Sequence, residues 1–282
     1  MKKVLPAVLA AAVLAGCSST SGPSSAGGSS SDPGTVKVLY AGSLTKLMDN
    51  AVLSDFHKAT GGTAQGQPGG STKLGADIKG KVKRADVFIS ASTGANDGLR
   101  GKANGNWESW YATFATAPLV IGYNPKSTFA AALKKGPWQR VVAKDGFRLG
   151  TTDPKLDPKG KLAAKAMKTA GVDAGKVAVF PEESLLGRLQ SGQLDAGFFY
   201  SSEAAEAKIP TVPVGQPLAA KYTVTVLNRA QNKAGADAFV KYLLGKNGKQ
   251  LMAQHGLESL PVKVTGDTSA VPADIRATLG QK

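Results

Sequence analysis

The stretch VKVLYAGSLT, Val36 to Thr45, decides the fold of this chain. Alternate residues of its first half are strand formers, and Gly42 permits a tight turn. Ser43 then stands where a helix N-cap belongs, because apolar residues follow it at helical spacing as far as Val52. Free N–H groups at the start of a helix attract anions. We therefore predict a strand, a turn and a helix, with Ser43 facing an anionic ligand.

The same order of turn, serine and helix start occurs again at Ser71. The segment before it, Gly61 to Gly70, is rich in glycine, and we predict a loop there. The next apolar run, Ala85 to Ser90, predicts a buried strand. Alternating strands and helices are typical of an α/β fold with a largely parallel sheet, in which ligands bind beyond the carboxyl ends of the strands. Both serines are expected at that edge.

The middle of the chain contains a change of composition. Pro118 opens a strongly apolar run, and we place an interdomain crossing near Thr116 and a return near Tyr222. Asp157 has the position of an N-cap with proline directly after it, which predicts a helix start there. A further strand is predicted to end at Tyr200, where another helix begins.

The N-terminus has the features of an exported protein. Residues 1–16 combine two lysines with an apolar stretch too short to span a bilayer, which is typical of a signal peptide. They lead into Cys17 through Leu-Ala-Gly, which resembles the lipobox of bacterial lipoproteins and implies acylation of this cysteine. Residues 17–34 are rich in serine and glycine and predict a flexible tether. We expect the protein to be anchored to the outer face of the cell membrane.

The charge balance favours an anionic partner. The chain has 35 basic and 20 acidic residues, a formal net charge of +15. Aromatic residues are sparse and not interleaved with the cations, so nucleic acid is not expected as a partner. The candidate partners are then anionic lipid, a cell-wall polyanion or an oxyanion ligand. The alternative is a solvated basic surface with no specific partner, which by itself explains most of the lysines.

The histidine and cysteine content of the chain argues against a catalytic site and against a structural zinc site. The two histidines, His57 and His255, stand in helical patterns without a Ser-His-Asp motif, so a hydrolase is not expected. Cys17 is the only cysteine, which excludes an intramolecular disulfide and, with two histidines, argues against structural zinc.

Six segments in chain order carry a resemblance that covers the chain beyond the tether. They are LYAGSLT (Leu39 to Thr45), GGSTKL (Gly69 to Leu74), ADVFISAS (Ala85 to Ser92), YATFATAPLVIGYNPKS (Tyr111 to Ser127), GTTDPKLDPKG (Gly150 to Gly160) and LQSGQLDAGFFYSSEA (Leu189 to Ala204). With these segments the chain resembles the molybdate/tungstate-binding proteins of ABC importers, a branch of the type II periplasmic binding proteins.

The resemblance implies a two-lobed α/β fold of the periplasmic-binding-protein type II, with a mixed sheet and flanking helices in each lobe. The ligand is expected in the cleft between the lobes. Lobe 1 is predicted from residues 35–116 plus 223–282, and lobe 2 from residues 117–222. The implied function is capture of molybdate or tungstate and delivery to an ABC permease, by a monomer without a cofactor and without enzyme activity.

The resemblance also implies the residues that hold the anion. Ser43 and Ser71 match two serines that bind oxyanion oxygens through hydroxyl and N–H groups. Tyr200 matches a tyrosine that donates its phenolic hydroxyl, and Lys159 matches a position that donates its backbone N–H. Molybdate is fully deprotonated at neutral pH, so a site made of donors complements it, whereas monohydrogen phosphate needs an acceptor.

Tungstate-type relatives are further expected to place an aspartate and a glutamate on the metal. Asp157 matches the aspartate position, although it also suits a simple helix cap. The glutamate position falls on Ser184, with Glu183 one residue earlier. Either Glu183 reaches the metal, or Ser184 supplies a hydroxyl or N–H and the anion stays tetrahedral.

Three alternative functions stay open at this point. A receptor for sulfate or another tetrahedral oxyanion would need similar donors on the same fold. A ferric receptor would need clustered tyrosines or histidines, of which only Tyr200 is suitably placed. An exported hydrolase is the remaining alternative.

Overall fold

The computed structural model describes residues 34–280, and its first strand is the one that the opening stretch predicts. The predicted signal peptide, Cys17 and nearly all of the tether lie outside the described residues. The strands are β1 (Thr35–Ala41), β2 (Thr63–Gly69), β3 (Val87–Ser90), β4 (Trp110–Tyr123), β5 (Leu149–Thr152), β6 (Ala178–Phe180), β7 (Ala196–Tyr200), β8 (Thr211–Pro213), β9 (Ala219–Val226) and β10 (Glu258–Gly266).

The helices follow the strands closely in the chain. They are α1 (Thr45–Leu47), α2 (Leu53–Thr60), α3 (Ser71–Lys79), α4 (Thr93–Asp97), α5 (Ala130–Lys135), α6 (Trp138–Val142), α7 (Pro158–Ala170), α8 (Glu182–Gln190), α9 (Ser201–Glu206), α10 (Lys233–Leu244), α11 (Lys246–Gln254) and α12 (Ala273–Thr278). A π-helical turn, Met48–Val52, joins α1 to α2. No helix among residues 34–280 is both long and apolar enough to cross a bilayer.

The strands form a mixed sheet in the order β2-β1-β3-β9-β4-β7-β5-β6. The pairs β2-β1, β1-β3, β7-β5 and β5-β6 are parallel, whereas β9 and β4 run antiparallel to their neighbours. Helices flank this sheet, and apolar side chains fill the space between. The fold is therefore mixed α/β, as the alternation of strand and helix signals predicts.

Strand β4 joins the two parts of the sheet. Its first half pairs with β9 and β10, and its last five residues, from Leu119, pair with β7. The sequence predicts a strand opening at Pro118, but Pro118 lies inside β4, so that prediction is wrong. The missing N–H of proline is tolerated here because this residue stands where the partner of β4 changes.

The glycine-rich segment before Ser71 is a strand and not a loop. Seven residues, Thr63–Gly69, pair in parallel register with β1. Gly66 explains why glycine is needed, since a Cβ there would lie 2.5 Å from the Tyr40 ring. Close packing of this ring against the neighbouring strand thus overrides the turn signal of the composition.

Candidate anion-binding cavity

The turns after β1 and β2 form one wall of a buried polar site, which we call the serine side. Ser43 lies in a short 3₁₀ segment, Gly42–Leu44, and is buried. Its hydroxyl does not cap the helix, contrary to the prediction, because it accepts a hydrogen bond of 3.1 Å from the Tyr222 hydroxyl. The tertiary partner fixes the Ser43 oxygen at the carboxyl end of β1.

Ser71 lies on the same wall, as the first residue of α3. It is fully buried, and its hydroxyl oxygen accepts a hydrogen bond of 3.0 Å from the Ala91 N–H. The helix cap is the preceding residue, Gly70. A Cβ on Gly70 would lie 2.7 Å from the Leu156 carbonyl oxygen, so glycine permits the close approach of the opposite wall.

The opposite wall, which we call the acidic side, begins at the start of α7. Asp157 is its N-cap, as predicted, and accepts a 2.7 Å hydrogen bond from the Lys159 N–H through Oδ1. The other oxygen, Oδ2, is buried and has no hydrogen-bond partner among the described residues. The backbone N–H expected to hold the anion is therefore engaged by the cap, and a carboxylate oxygen is free instead.

The Lys159 side chain is a second component of the acidic side. It is fully buried, and its ammonium donates hydrogen bonds of 2.8 and 3.1 Å to the two carboxylate oxygens of Glu203. The Glu182 Oε1 atom lies 3.4 Å from the same ammonium. Glu203 is held in turn by the Tyr200 N–H at 2.8 Å. One cation thus faces three carboxylates, counting Asp157.

Glu182, and not Glu183 or Ser184, is the α8 side chain that enters this cluster. Glu182 is buried, whereas Glu183 is exposed and the Ser184 hydroxyl donates to the Pro181 carbonyl at 3.0 Å. Successive helical residues are rotated by about 100°, so Glu183 stays outside the Lys159 cluster that Glu182 enters, although both residues line the adjoining cavity. The sequence contains a pattern that could have identified Glu182, because it is three residues before the buried Leu185 and so lies on the same face of the helix.

Two hydrogen bonds hold the walls together. The Gly42 N–H donates to Glu182 Oε2 at 3.0 Å, and the Lys73 N–H donates to the Leu156 carbonyl at 3.0 Å. A cavity of about 490 Å³ opens beside these contacts, and its lining includes Gly70, Asp157, Glu182 and Glu183. Ser43, Ser71, Lys159 and Tyr200 are buried and are not among the residues that line it. The Gly42 N–H lies where it could donate a hydrogen bond to a bound anion, but here it donates to a carboxylate of the protein itself.

Tyr200 and Tyr222 place two phenols side by side behind the walls. Their ring centroids are 6.2 Å apart, and both side chains are fully buried. Unlike the Tyr222 hydroxyl, the Tyr200 hydroxyl has no hydrogen-bond partner among the described residues. The Lys159 ammonium lies 5.6 Å from the centroid of the Tyr200 ring and fixes its orientation. Tyr200 therefore keeps a free donor.

Burial controls the ionisation of the acidic side. It raises the pKa of Asp157 and that of Glu182, and in both cases the Lys159 ammonium opposes the rise. Burial alone would lower the pKa of Lys159, but the carboxylates of Glu203, Glu182 and Asp157 raise it above its usual value. Lys159 is therefore a permanent cation that the neighbouring acids require.

The serine side is backed by a buried network of uncharged groups. The Asn96 side-chain carbonyl accepts hydrogen bonds from the hydroxyls of Ser90 and Thr223, at 2.7 and 2.6 Å. The Asn96 amide donates to Glu108 Oε2 at 2.9 Å. Burial raises the pKa of Glu108 to about 8, so this carboxyl is largely protonated at pH 7. The serine side thus carries little net charge.

The structure brings together four of the residues predicted for the site: Ser43, Ser71, Asp157 and Tyr200. Lys159 also belongs to the site, but it contributes its side-chain ammonium and not the predicted backbone N–H. Sequence reasoning missed Glu182, Glu203 and Tyr222. Among residues 34–280, no group of three or more His, Cys, Asp or Glu side chains is arranged to hold a metal ion. The buried site therefore combines hydroxyl and N–H groups on one wall with carboxylate oxygens on the other.

A family model for bacterial extracellular solute-binding proteins matches residues 36–258. The chain belongs to this family. The match includes both walls of the cavity, so the site lies within the part of the chain that defines the family.

The relatives point to one class of solute. The chain is 27% identical to the molybdate/tungstate-binding protein WtpA of Thermococcus kodakarensis, over the whole of both chains. It is 26% identical to WtpA of Pyrococcus abyssi, over 76% of this chain and 79% of the relative. The solved periplasmic molybdate-binding protein of Azotobacter vinelandii has the same fold, with a TM-score of 0.65 and 19% identity, over 79% of this chain and 98% of that one.

Proposed function

We propose that this protein captures molybdate or tungstate outside the cytoplasm and delivers it to the permease of an ABC importer. The relatives named molybdate/tungstate-binding proteins support this proposal, as does the resemblance of the six sequence segments. Membership of a solute-binding family supports binding without chemistry as the role of the cavity. The oxyanion is the substrate, and no cofactor is part of the proposal.

The observation that carries the choice of anion is the free carboxylate oxygen of Asp157 beside Glu182. Carboxylates repel a dianion in a cavity of low dielectric, so a wall of acids disfavours a purely tetrahedral ligand such as sulfate. Molybdenum and tungsten can add oxygen ligands to their four oxo groups, whereas sulfur in sulfate cannot. The acidic side therefore favours a metal oxyanion over sulfate.

Each carboxylate has one oxygen that accepts a backbone hydrogen bond and a second oxygen without a hydrogen bond among residues 34–280. Asp157 Oδ1 is held by the Lys159 N–H and Glu182 Oε2 by the Gly42 N–H. We assign Asp157 Oδ2 and Glu182 Oε1 as monodentate ligands for the metal of the anion, the latter oxygen lying 3.4 Å from the Lys159 ammonium. We assign Glu182 this role in place of Glu183 or Ser184, which do not enter the cluster.

The donors complete the proposed shell. Ser43 and Ser71 face the oxo groups from the serine side, and Tyr200 donates its free hydroxyl from the other. Lys159 contributes through its ammonium, which offsets part of the acidic charge. Capture closes the lobes, predicted as residues 35–116 plus 223–282 and residues 117–222, about the strands that cross near Thr116 and Tyr222.

The setting of this activity is also part of the proposal. We infer that the protein is a lipoprotein monomer acylated at Cys17, on the outer face of the cell membrane. A role as an enzyme finds no support in the cavity, because its serine hydroxyls bond to Tyr222 and Ala91 and not to a histidine. Of the two histidines, His57 bonds to the Gly62 carbonyl and His255 to Glu206.

Isothermal calorimetry of the full chain against molybdate, tungstate, sulfate and phosphate tests the function. We expect sub-micromolar affinity for molybdate or tungstate and much weaker binding of the other two. X-ray absorption of the bound tungstate then tests the ligands, since two carboxylates give a six-coordinate metal. Absence of binding to both metal oxyanions contradicts the function, whereas a four-coordinate metal contradicts only the roles of Asp157 and Glu182.

A further inference from the structure

A second concave surface, which shares Lys83 with the lining of the anion cavity, carries a strong positive charge. Its volume is about 350 Å³. We call it the basic pocket. Its floor is apolar and its rim is cationic, formed by Ile78, Trp107 and Leu227 below and by Lys81, Lys83, Arg84 and Arg229 around them.

Within the part of the chain that the structure describes, the four cations of the basic pocket have no acidic partners. None of them forms an ion pair with a carboxylate within residues 34–280. Arg229 is held in place, since its guanidinium carbon lies 3.8 Å from the centroid of the Trp107 ring and the group also donates to the Gly105 carbonyl at 3.2 Å. The positive charge of the rim is thus not neutralised by carboxylates of the described chain, and it can attract an anionic partner from outside.

An exposed apolar residue is adjacent in sequence to two cations of the rim. Val82 stands between two of the cations and has 75% of its surface exposed. Cationic side chains around an exposed aliphatic group and a tryptophan suit the boundary between lipid headgroups and acyl chains. A soluble polyanion would use the charges but leave Val82 without a function.

The basic pocket lies at the amino end of β1, where the described chain begins. The Asp86 N–H donates to the Lys37 carbonyl, and the Leu227 N–H donates to the Asp86 carbonyl, at 2.8 and 2.9 Å. These bonds join the starts of β1 and β3 to the end of β9, and the pocket floor lies on that edge. Ser43 stands at the other end of β1, about 20 Å away at ~3.3 Å per residue.

We propose that the basic pocket docks the protein on the anionic lipid surface of its own membrane. This inference rests on the acyl anchor at Cys17 proposed above, because the anchor keeps the N-terminal edge close to the bilayer. The Ser/Gly-rich sequence between Cys17 and Gly34 predicts a mean span of only about 20–25 Å. The edge that bears the basic pocket therefore stays within reach of the headgroups.

Docking in this orientation has a consequence for capture. The anion cavity shares Lys83 with the basic pocket, so docking brings this part of the cavity lining close to the headgroups. Raised ionic strength weakens the docking, since the attraction acts over a Debye length of about 10 Å.

Vesicle co-sedimentation tests the proposal with the full chain carrying Cys17→Ser, which removes the acylation site. The probes are vesicles of phosphatidylcholine alone and vesicles with about a third of phosphatidylglycerol. The test variant combines Lys81→Glu, Arg84→Glu and Arg229→Glu. A matched control, Lys144→Glu with Lys161→Glu and Lys165→Glu, changes the same charge at exposed sites elsewhere. Thermal unfolding checks that both variants fold.

We expect the test variant to lose about a hundredfold in partitioning to the anionic vesicles, at about 1 kcal/mol for each cation removed. The control variant is expected to stay within about threefold of the parent, and binding is expected to fall in high salt. Equal losses in both variants contradict the proposal, as does equal binding to neutral vesicles. Competition by a soluble poly(glycerol phosphate) that abolishes vesicle binding would assign the basic pocket to a wall polymer and overturn it.

Failure of this inference can be told apart from failure of the anchor. Mass spectrometry of the native protein reports acylation of Cys17 independently of the vesicle assay. Calorimetry with molybdate reports the anion cavity, which the three substitutions do not touch.

Discussion

The two walls of the anion cavity are built on opposite principles. On the serine side, Ser43 and Ser71 are held by neutral hydrogen bonds, and the network behind them carries little charge. On the acidic side, three carboxylates surround the buried ammonium of Lys159. The serine side is pre-organised by a fixed set of donors and acceptors, whereas the acidic side depends on charge compensation.

This difference assigns the walls different tasks. Neutral donors bind the oxo groups of any tetrahedral anion, so the serine side supplies affinity but little selectivity among anions. Carboxylates repel an anion unless their oxygens can coordinate its central atom, so the acidic side supplies the selectivity. Variants on the two walls are therefore expected to differ in which property they change.

The largest expected effect comes from Lys159→Met on the acidic side. Glu182 and Glu203 would keep their burial and lose their cation, which costs about 3–5 kcal/mol of folding free energy. Urea denaturation of the unliganded protein measures the loss. Lys161→Met, at an exposed site on the same helix, is the control and should change the stability by less than about 0.5 kcal/mol. A loss below about 1 kcal/mol for the first variant would contradict the charge-compensated wall.

The second effect concerns Glu108 behind the serine side and depends on pH. Its pKa of about 8 in the folded protein lies above the ordinary value of 4.5. The bound proton therefore stabilises the fold fully below about pH 4.5, and this contribution is lost as the pH rises through about 8. The Glu108→Gln substitution removes this contribution of Glu108 to the pH dependence of the folding stability.

The stability advantage of the parent over the Glu108→Gln variant should shrink by roughly a few kcal/mol between those pH values. Denaturation curves across the range measure it, with the exposed Glu258→Gln as control. A difference that is constant with pH would show that Glu108 is ionised and that the serine side is charged.

The third effect separates metal oxyanions from sulfate. Asp157→Asn keeps the helix cap, because asparagine caps as well as aspartate, but removes the free carboxylate oxygen. We expect about a hundredfold weaker binding of tungstate, or ~2.7 kcal/mol, with little change for sulfate. Calorimetry measures both, and Asp173→Asn, a cap outside the cavity, is the control. An equal loss for both anions would show that the acidic side does not discriminate.

The smallest effect compares the two tyrosines. Tyr200→Phe should weaken molybdate binding by about tenfold, because one donor is lost, while the unliganded protein gains up to about 1 kcal/mol of stability. That gain follows from removing a buried hydroxyl without a partner. Tyr222→Phe should instead lose about 1 kcal/mol, since its hydroxyl bonds to Ser43. Melting curves with and without molybdate measure both, and equal behaviour of the two variants would contradict the assignment.

Much of the fold follows from local signals. The strand before Ser43 and the capped start of α7 at Asp157 were predicted from residue types alone. The prediction failed at β2 and at Pro118, where a ring packed on a neighbouring strand and a change of strand partner decide the conformation. Both effects join residues that lie far apart in sequence, so local patterns do not contain them.

The candidate site divides in the same way. The sequence by itself determined the chemistry available at Ser43, Ser71, Asp157 and Tyr200, because residue types and helix starts are local properties. Only the tertiary structure decided that Glu182 enters the cavity and that the Lys159 ammonium compensates it. The reason is physical: a carboxylate becomes part of a site through the burial and the cation that other segments supply, and these depend on how the whole chain packs.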